Sequence, residues 1–356
     1  MTVKYILLTT SLITIFLLNS LLGECSTMAK YELQATESAP KGYPMQIISG
    51  DLSYHDGSGS LYVPEGVLLY NGWGDGRSSH VVGDDKKPLP DRLHIVFFSY
   101  SENQFYEGDF QLPYEKIASL FAEGHYSPNA EKKITYDSFV VGVAPGGVVT
   151  VWLWAIEKRT EVFFGKAKKI EGNWKWINDN PDYTREEYVR LGIKDALKTK
   201  EAIAAYEKNG VPLGLWEKYH KARYHWVPVF TNMPLYDERI ALIDYFNGER
   251  DYLDYPMKKA ISEQTRAVPE MINFVWKQPY GKPLDIEIFF DKKSIFKLFE
   301  KMYKPGVTLK FEFRVVETNG KNDFTMWLHN GTGSVEIKDF RLETYGIPDR
   351  APQPHE

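Results

Sequence analysis

Apolar residues along this chain fill every position in some stretches and recur with a period of two, or of three to four, in others. The densest stretch is residues 139–156, FVVGVAPGGVVTVWLWAI, which reads as two strands joined by Ala144-Pro145-Gly146-Gly147. Proline presets φ at the second turn position, and glycine accepts the positive φ that a type II turn requires at the third. Val140, Val141 and Val143, then Val148, Val149, Val151, Trp152 and Leu153, occupy both faces of the flanking strands. A hairpin apolar on both faces is buried on both, which predicts a place central to a sheet.

Upstream, residues 45–48 and 67–70 read as strands, residues 56–60 as a turn and residues 71–77 (NGWGDGR) as a glycine-rich loop. Residues 93–100 are β-prone, and residues 104–110 can pair with them as a hairpin. Pro113 opens a short helix with Ile117, Leu120 and Phe121 on one face, and residues 161–167 form a further strand. The pattern then changes. Thr184 with Glu187 makes a capping box, helix continues to Asn209-Gly210, and residues 215–224 and 237–246 also read as helical. Strand signals are nearly absent there.

Strands return after Met271. Residues 284–290 resemble 93–98, and residues 291–303 form an amphipathic helix with Ile295, Leu298, Phe299 and Met302 on one face. A hairpin follows across Asn319-Gly320, and residues 334–345 close as a strand. The order strand, helix, hairpin, strand thus occurs twice, which suggests an internal duplication. Leu309, Phe311, Phe313 and Val315 alternate with Lys310, Glu312 and Arg314, so the second hairpin should have one wet face. The expected fold is α+β: two related β-rich units with mainly antiparallel sheets, joined by a helical segment. The expected boundaries are a signal peptide at 1–25, a tether at 26–39, unit one at 40–170, a helical connector at 171–268, unit two at 269–347 and a tail at 348–356.

The N-terminus adds a location. Lys4 precedes an uncharged, mostly apolar run at 5–22, which ends at Leu22-Gly23-Glu24-Cys25. A lone cysteine behind such a run resembles a lipobox, with Cys25 lipidated, although Glu24 departs from the usual small residue. Cleavage after Thr27-Met28-Ala29 would instead release a soluble secreted or periplasmic protein, and an uncleaved run is about the minimum length to span a bilayer. Ser26 is not the aspartate of an inner-membrane retention signal, so the expectation is an outer-membrane lipoprotein facing the periplasm, held to the membrane by its lipid. Cys25 is the only cysteine, so no intrachain disulfide can form and an apolar core must hold the chain together. Hydrophobic residues at 43% and aromatics at 15% can supply one. The net charge of −5 is acidic before residue 171 and nearly balanced after it, and no basic stripe marks a nucleic-acid partner.

Candidate chemistry is sparse. The loop at 71–77 lacks the phosphate-loop and dinucleotide signatures. It is either a plain surface loop or a ligand lip in which Trp73 stacks while Asp75 and Arg77 hydrogen-bond. Glu107 and Asp109 share one face of a strand, a spacing that a catalytic carboxylate pair could use and that solvated strand acids also show. His220 and His225 lie five apart, off a common helix face, and no acidic partner stands at ligand spacing, so neither a metal nor a cofactor is expected. No Gly-x-Ser-x-Gly elbow occurs. The tryptophans beyond Trp73 sit mostly in apolar strands or beside helices and read as core rather than as sugar platforms.

Pro40-Lys41-Gly42-Tyr43-Pro44, Gly72-Trp73-Gly74, Leu89-Pro90, Phe105-Tyr106-Glu107-Gly108-Asp109-Phe110 with Leu112-Pro113, and Val141-Gly142-Val143-Ala144-Pro145-Gly146-Gly147 follow one another in order. Together they resemble the bacterial domain-of-unknown-function family 2931, whose members are often described as lipoproteins, most strongly over residues 31–230. The resemblance implies an envelope location and brings no catalytic residues. The functional expectation is therefore a non-catalytic, protein-binding envelope module, in its sharpest form an immunity protein against a periplasmic toxin. The alternative is a glycan-binding or glycan-acting protein that uses Trp73 with Glu107 and Asp109.

Overall fold

The computed structural model describes residues 29–78, 83–127, 130, 132–156, 158–231, 242–253, 264–276, 282–318 and 321–346. Among them the chain is β-rich, with several mostly antiparallel sheets and few helices. A nine-stranded sheet, here the long sheet, runs in the order Gln34–Ser38, Ser138–Ala144, Val148–Ala155, Lys158–Lys166, Arg250–Tyr252, Leu242–Tyr245, Pro269–Trp276, Leu284–Phe290, Phe340–Gly346. Its first pair is parallel and the rest are antiparallel.

Two five-stranded sheets pack against it. The N-terminal one runs Lys168–Ile170, Gln104–Gln111, Pro90–Ser99, Met45–Tyr54, Ser60–Tyr62. Its Leu52, Leu93, Ile95 and Phe97 meet Phe139, Val141, Val149 and Val151 of the long sheet in one core. The C-terminal one runs Gln264–Ala267, Arg223–Thr231, Leu309–Thr318, Lys321–His329, Ser334–Ile337. Its Phe311, Phe313 and Leu328 meet Ile272, Phe274, Ile286 and Ile288 in a second core. Each such side chain, fully buried, contributes about 1.5–3 kcal/mol, so the two cores can stabilise the chain without a disulfide.

Helices fill the flanks. Helix α1 (Tyr114–Glu123) starts after Pro113 and buries Ile117 and Phe121 in the first core. Helix α2 (Arg185–Leu197) starts at the expected capping box, with Thr184 and Glu187 satisfying each other's backbone N–H groups. Its Val189 covers Phe98, Tyr100 and Phe105 on the N-terminal sheet. Helix α3 (Lys200–Asn209) stops at Gly210 in a positive-φ conformation, and helix α4 (Leu215–Lys221) buries Trp216 and Tyr219. Helix α5 (Lys292–Met302) carries the expected stripe, with Ile295, Phe296, Phe299 and Met302 buried. Among the described residues no helix is long and apolar enough to cross a membrane.

The 139–156 hairpin forms as expected. Gly146 takes φ +82°, and both strands lie inside the long sheet with every residue buried except the half-buried Trp154. The second hairpin has its wet face, since Leu309, Phe311 and Phe313 are buried while Lys310 is exposed, although Glu312 is drawn under cover. The Asn319-Gly320 turn lies outside the described residues.

Four expectations are corrected. The tether at 26–39 contains the strand Gln34–Ser38, because Leu33, Ala35 and Ala39 find a core beside Ser138–Ala144. Residues 67–70 make only an isolated bridge from Leu69 to Met45. Among the described residues, the connector at 171–268 is helical only in its first half. Arg223–Thr231, Leu242–Tyr245, Arg250–Tyr252 and Gln264–Ala267 are strands, because long-range partners such as Leu309–Thr318 outweigh local helical spacing. Finally, residues 334–345 split into Ser334–Ile337 and Phe340–Gly346, which join different sheets.

Candidate functional site

Among the described residues, the long sheet passes from one core to the other through a single residue pair, Arg159 opposite Arg250. Both arginines line a cleft of about 350 Å³ at this seam. Two guanidiniums set side by side require neutralising charge, and each has a dedicated acid. Arg159 donates from Nη1 to Asp75 Oδ1 at 2.9 Å and from Nε to the Gly248 carbonyl. Arg250 forks onto Asp244 at 2.6 and 2.8 Å. Burial lowers the Arg159 pKa against the pull of Asp75 and Asp244, whereas the hydrogen bonds that Arg250 donates to Asp244 raise its own.

The glycine-rich loop forms one wall. Ser38 Oγ donates to the Gly72 carbonyl at 2.7 Å and accepts from Gly74 N–H at 2.8 Å, which ties the loop to the end of Gln34–Ser38. Trp73 meets Trp152 edge-on at 4.9 Å and lies 6.4 Å from Trp216. Tyr43 packs edge-on against Trp216 at 5.4 Å, and Tyr219, Met271 and Phe289 complete the apolar lining. Trp73 and Tyr43 are half-buried, so their rings contribute surface to the cleft.

Three charged groups at the cleft are uncommitted. Lys41, Lys292 and Glu270 all line it, and none makes an ion pair or side-chain hydrogen bond with any described residue. Glu270 is exposed as a residue, yet protein atoms crowd its carboxyl. That crowding, reinforced by Asp244 and Asp75 and opposed by Lys292 and Lys41, pushes its carboxyl up to about 7.

A second polar cluster sits behind the seam. Glu161, its side chain 5% exposed, accepts from Arg223 at 3.2 Å and Asn247 at 3.3 Å, and pairs with His220 Nδ1 at 2.6 Å. Glu249 accepts from Arg223 at 2.9 Å and from the Glu161 N–H at 3.1 Å. Every member has a partner, and the cluster ties Lys158–Lys166 to α4 and the 246–249 turn, which makes it structural. A third group lies on the wet face of the C-terminal sheet. His329 joins Ser334 (2.6 Å) to Glu312 (2.9 Å), and Arg314 also holds Glu312. His329 and Ser334 are cross-strand neighbours, and with Glu312 they line a shallow cavity of about 590 Å³. Among the described residues no group of three or more metal-ligating side chains gathers.

Of the residues singled out from the sequence, Trp73 and Asp75 line the cleft. Arg77 does not: its guanidinium donates to the Leu68 carbonyl and its N–H to the Glu37 carbonyl, beyond the lip. Glu107 and Asp109 lie on the N-terminal sheet, where Asp109 accepts from Arg92 at 2.6 Å and Glu107 stands 4.0 Å from His94. The structure therefore does not bring Trp73, Glu107 and Asp109 into one cleft, and a glycan-acting site built on them is withdrawn. Cys25 lies outside the described residues. Sequence reasoning missed Arg159, Asp244, Arg250 and Glu270, whose only signal was a charge embedded in or next to an apolar strand.

A family model described as "Protein of unknown function (DUF2931)" matches residues 24–214, more than half of the chain. The chain belongs to that family. The match is the one its small motifs resemble, and it ends just before α4. Within the cleft, Lys41, Tyr43, Trp73, Asp75 and Arg159 fall inside the DUF2931 region, whereas Trp216, Asp244, Arg250, Glu270 and Lys292 fall outside it. No curated protein matches the chain, and no solved structure does.

Proposed function

We propose that the chain is a non-catalytic binding protein of the bacterial cell envelope, and that the seam cleft recognises a sugar-sized polar ring. The observation that carries this reading is the convergence of half-buried Trp73 and Tyr43 with unpaired Lys41, Lys292 and Glu270 around about 350 Å³. That volume lies at the small end of ligand pockets, and an apolar wall with a few convergent polar groups is their usual chemistry. A protein partner, including a toxin neutralised in the periplasm, would have to insert a side chain of that size and polarity.

We also infer that the cleft lies between two related units, and strand order supports this. The sequence 168–170, 104–111, 90–99, 45–54, 60–62 in the N-terminal sheet corresponds to 340–346, 284–290, 269–276, 242–245, 250–252 in the long sheet. The order 34–38, 138–144, 148–155, 158–166 corresponds to 223–231, 309–318, 321–329, 334–337, and each set opens with a parallel pair. A helix follows the equivalent strand in both, α1 after 104–111 and α5 after 284–290.

The test is titration of the mature chain with a panel of sugars, followed by tryptophan fluorescence and calorimetry. Saturable binding that Trp73→Ala weakens at least tenfold is expected; a panel without any binder defeats the sugar reading. Lipid anchoring is tested separately by radiolabelled fatty-acid incorporation, which Cys25→Ser abolishes if the N-terminal reading holds.

A further inference from the structure

We propose that the ring accepted by this cleft carries one anionic group, a carboxylate or a phosphate, held between Lys41 and Lys292. The inference rests on the binding reading above and adds the ligand's charge. It comes from asking which charges in the cleft are already used. The arginines are: Asp75 and Asp244 bind them with directed hydrogen bonds, so each guanidinium already has its counter-charge. Two ammonium groups remain against one carboxylate, Glu270, and none of the three makes an ion pair or side-chain hydrogen bond with a described residue.

Lys41 and Lys292 approach from separate elements. Lys41 lies in the Pro40–Pro44 segment, and Lys292 is the first residue of α5, with its ammonium 5.8 Å from the centre of the Tyr219 ring. Both line the same cleft as Glu270. A neutral sugar would leave two ammoniums beside it unused. A cationic sugar would meet them as like charges, a repulsion that a concave wall intensifies. An anion satisfies both, because an ammonium offers three rotatable donors and suits a carboxylate or phosphate approached as a point charge. Glu270 then faces the ring hydroxyls, and Trp73 and Tyr43 face its apolar side.

The experiment uses the full mature chain, calorimetry at low salt, and four probes on one scaffold: glucose, glucosamine, glucuronate and glucose 6-phosphate. One of the two anions should bind at least tenfold more tightly than glucose, and which one does so separates a carboxylate from a phosphate ligand. The double substitution Lys41→Gln/Lys292→Gln should remove that tenfold advantage, leaving the preferred anion bound no more tightly than glucose. Both lysines are exposed, and an unchanged circular dichroism melt confirms that the variant folds. Equal affinity for glucose and both anions, with Trp73→Ala weakening all three, would overturn the charge assignment and leave the binding reading standing. A preference for glucosamine would overturn it too. Binding of none of the four defeats both.

Discussion

Replacing Gly142 with alanine tests the packing beneath the cleft, because the added atom has nowhere to go. A Cβ there would stand 2.7 Å from Cη2 of Trp152, closer still to its Cζ3, and 3.0 Å from Cζ3 of Trp73. Gly142 sits in a regular strand opposite Thr150, so backbone strain adds nothing and the effect is steric. Trp152 cannot retreat. Its side chain is fully buried, its Nε1 donates to the Asn247 carbonyl at 3.2 Å, and Gly248 closes its other face so tightly that a Cβ there would lie 2.8 Å from Cζ2. Overpacking a core costs about 1–3 kcal/mol, and a ring held on both faces belongs at the upper end, so Gly142→Ala should cost about 3 kcal/mol. Against a total stability of about 5–15 kcal/mol, that shift is easily read as a lower urea midpoint at unchanged slope. Gly346→Ala, whose Cβ meets nothing within 4 Å, is the control and should move stability by less than about 0.5 kcal/mol. In a Trp152→Phe background the cost of Gly142→Ala should fall by more than half, since the clashing indole atoms are gone. A loss under about 0.5 kcal/mol in the wild type, or an equal loss in both backgrounds, would refute the steric argument.

Glu270 should make anion binding pH-dependent. With its carboxyl raised to about 7, the group is neutral below that pH and stops competing for Lys41 and Lys292, so affinity for an anionic sugar rises as pH falls through 7. Glu270→Gln should hold affinity at its low-pH level from pH 6 to pH 8.5 in calorimetry; a retained pH slope would point to another group. Thr184→Ala removes one half of the α2 capping box and should cost about 1 kcal/mol, seen as faster amide exchange in the first turn of α2 with the long sheet unaffected.

Local chemistry was legible and long-range pairing was not. The 139–156 hairpin, the Thr184 capping box, the stop at Gly210 and the stripe of α5 each depend on residues within a few positions, and each formed where the pattern placed it. Arg223–Thr231 and Leu242–Tyr245 were misread because a four-residue or aromatic-rich apolar run fits either period, and the deciding partners lie tens of residues away. The cleft divides in the same way. Trp73 and Asp75 stood out through the glycines around them, whereas Arg159, Asp244 and Glu270 come from separate strands that only the assembled sheet brings together. Glu107 and Asp109 share an exposed strand face as expected, but they stand on the N-terminal sheet away from the cleft, where Arg92 engages Asp109.

The seam also has a mechanical consequence. Long ladders join Val148–Ala155 to Lys158–Lys166 and Pro269–Trp276 to Leu284–Phe290, while among the described residues one residue pair joins Lys158–Lys166 to Arg250–Tyr252. Under tension drawn across the long sheet, load at this joint falls on the side-chain bonds that cross it, from Arg159 to the Gly248 carbonyl, from Trp152 to the Asn247 carbonyl and from Asn247 to Glu161. A molecule seated in the cleft touches both sides of the joint. It acts as a rivet, and the force needed to separate the two halves becomes a direct gauge of occupancy.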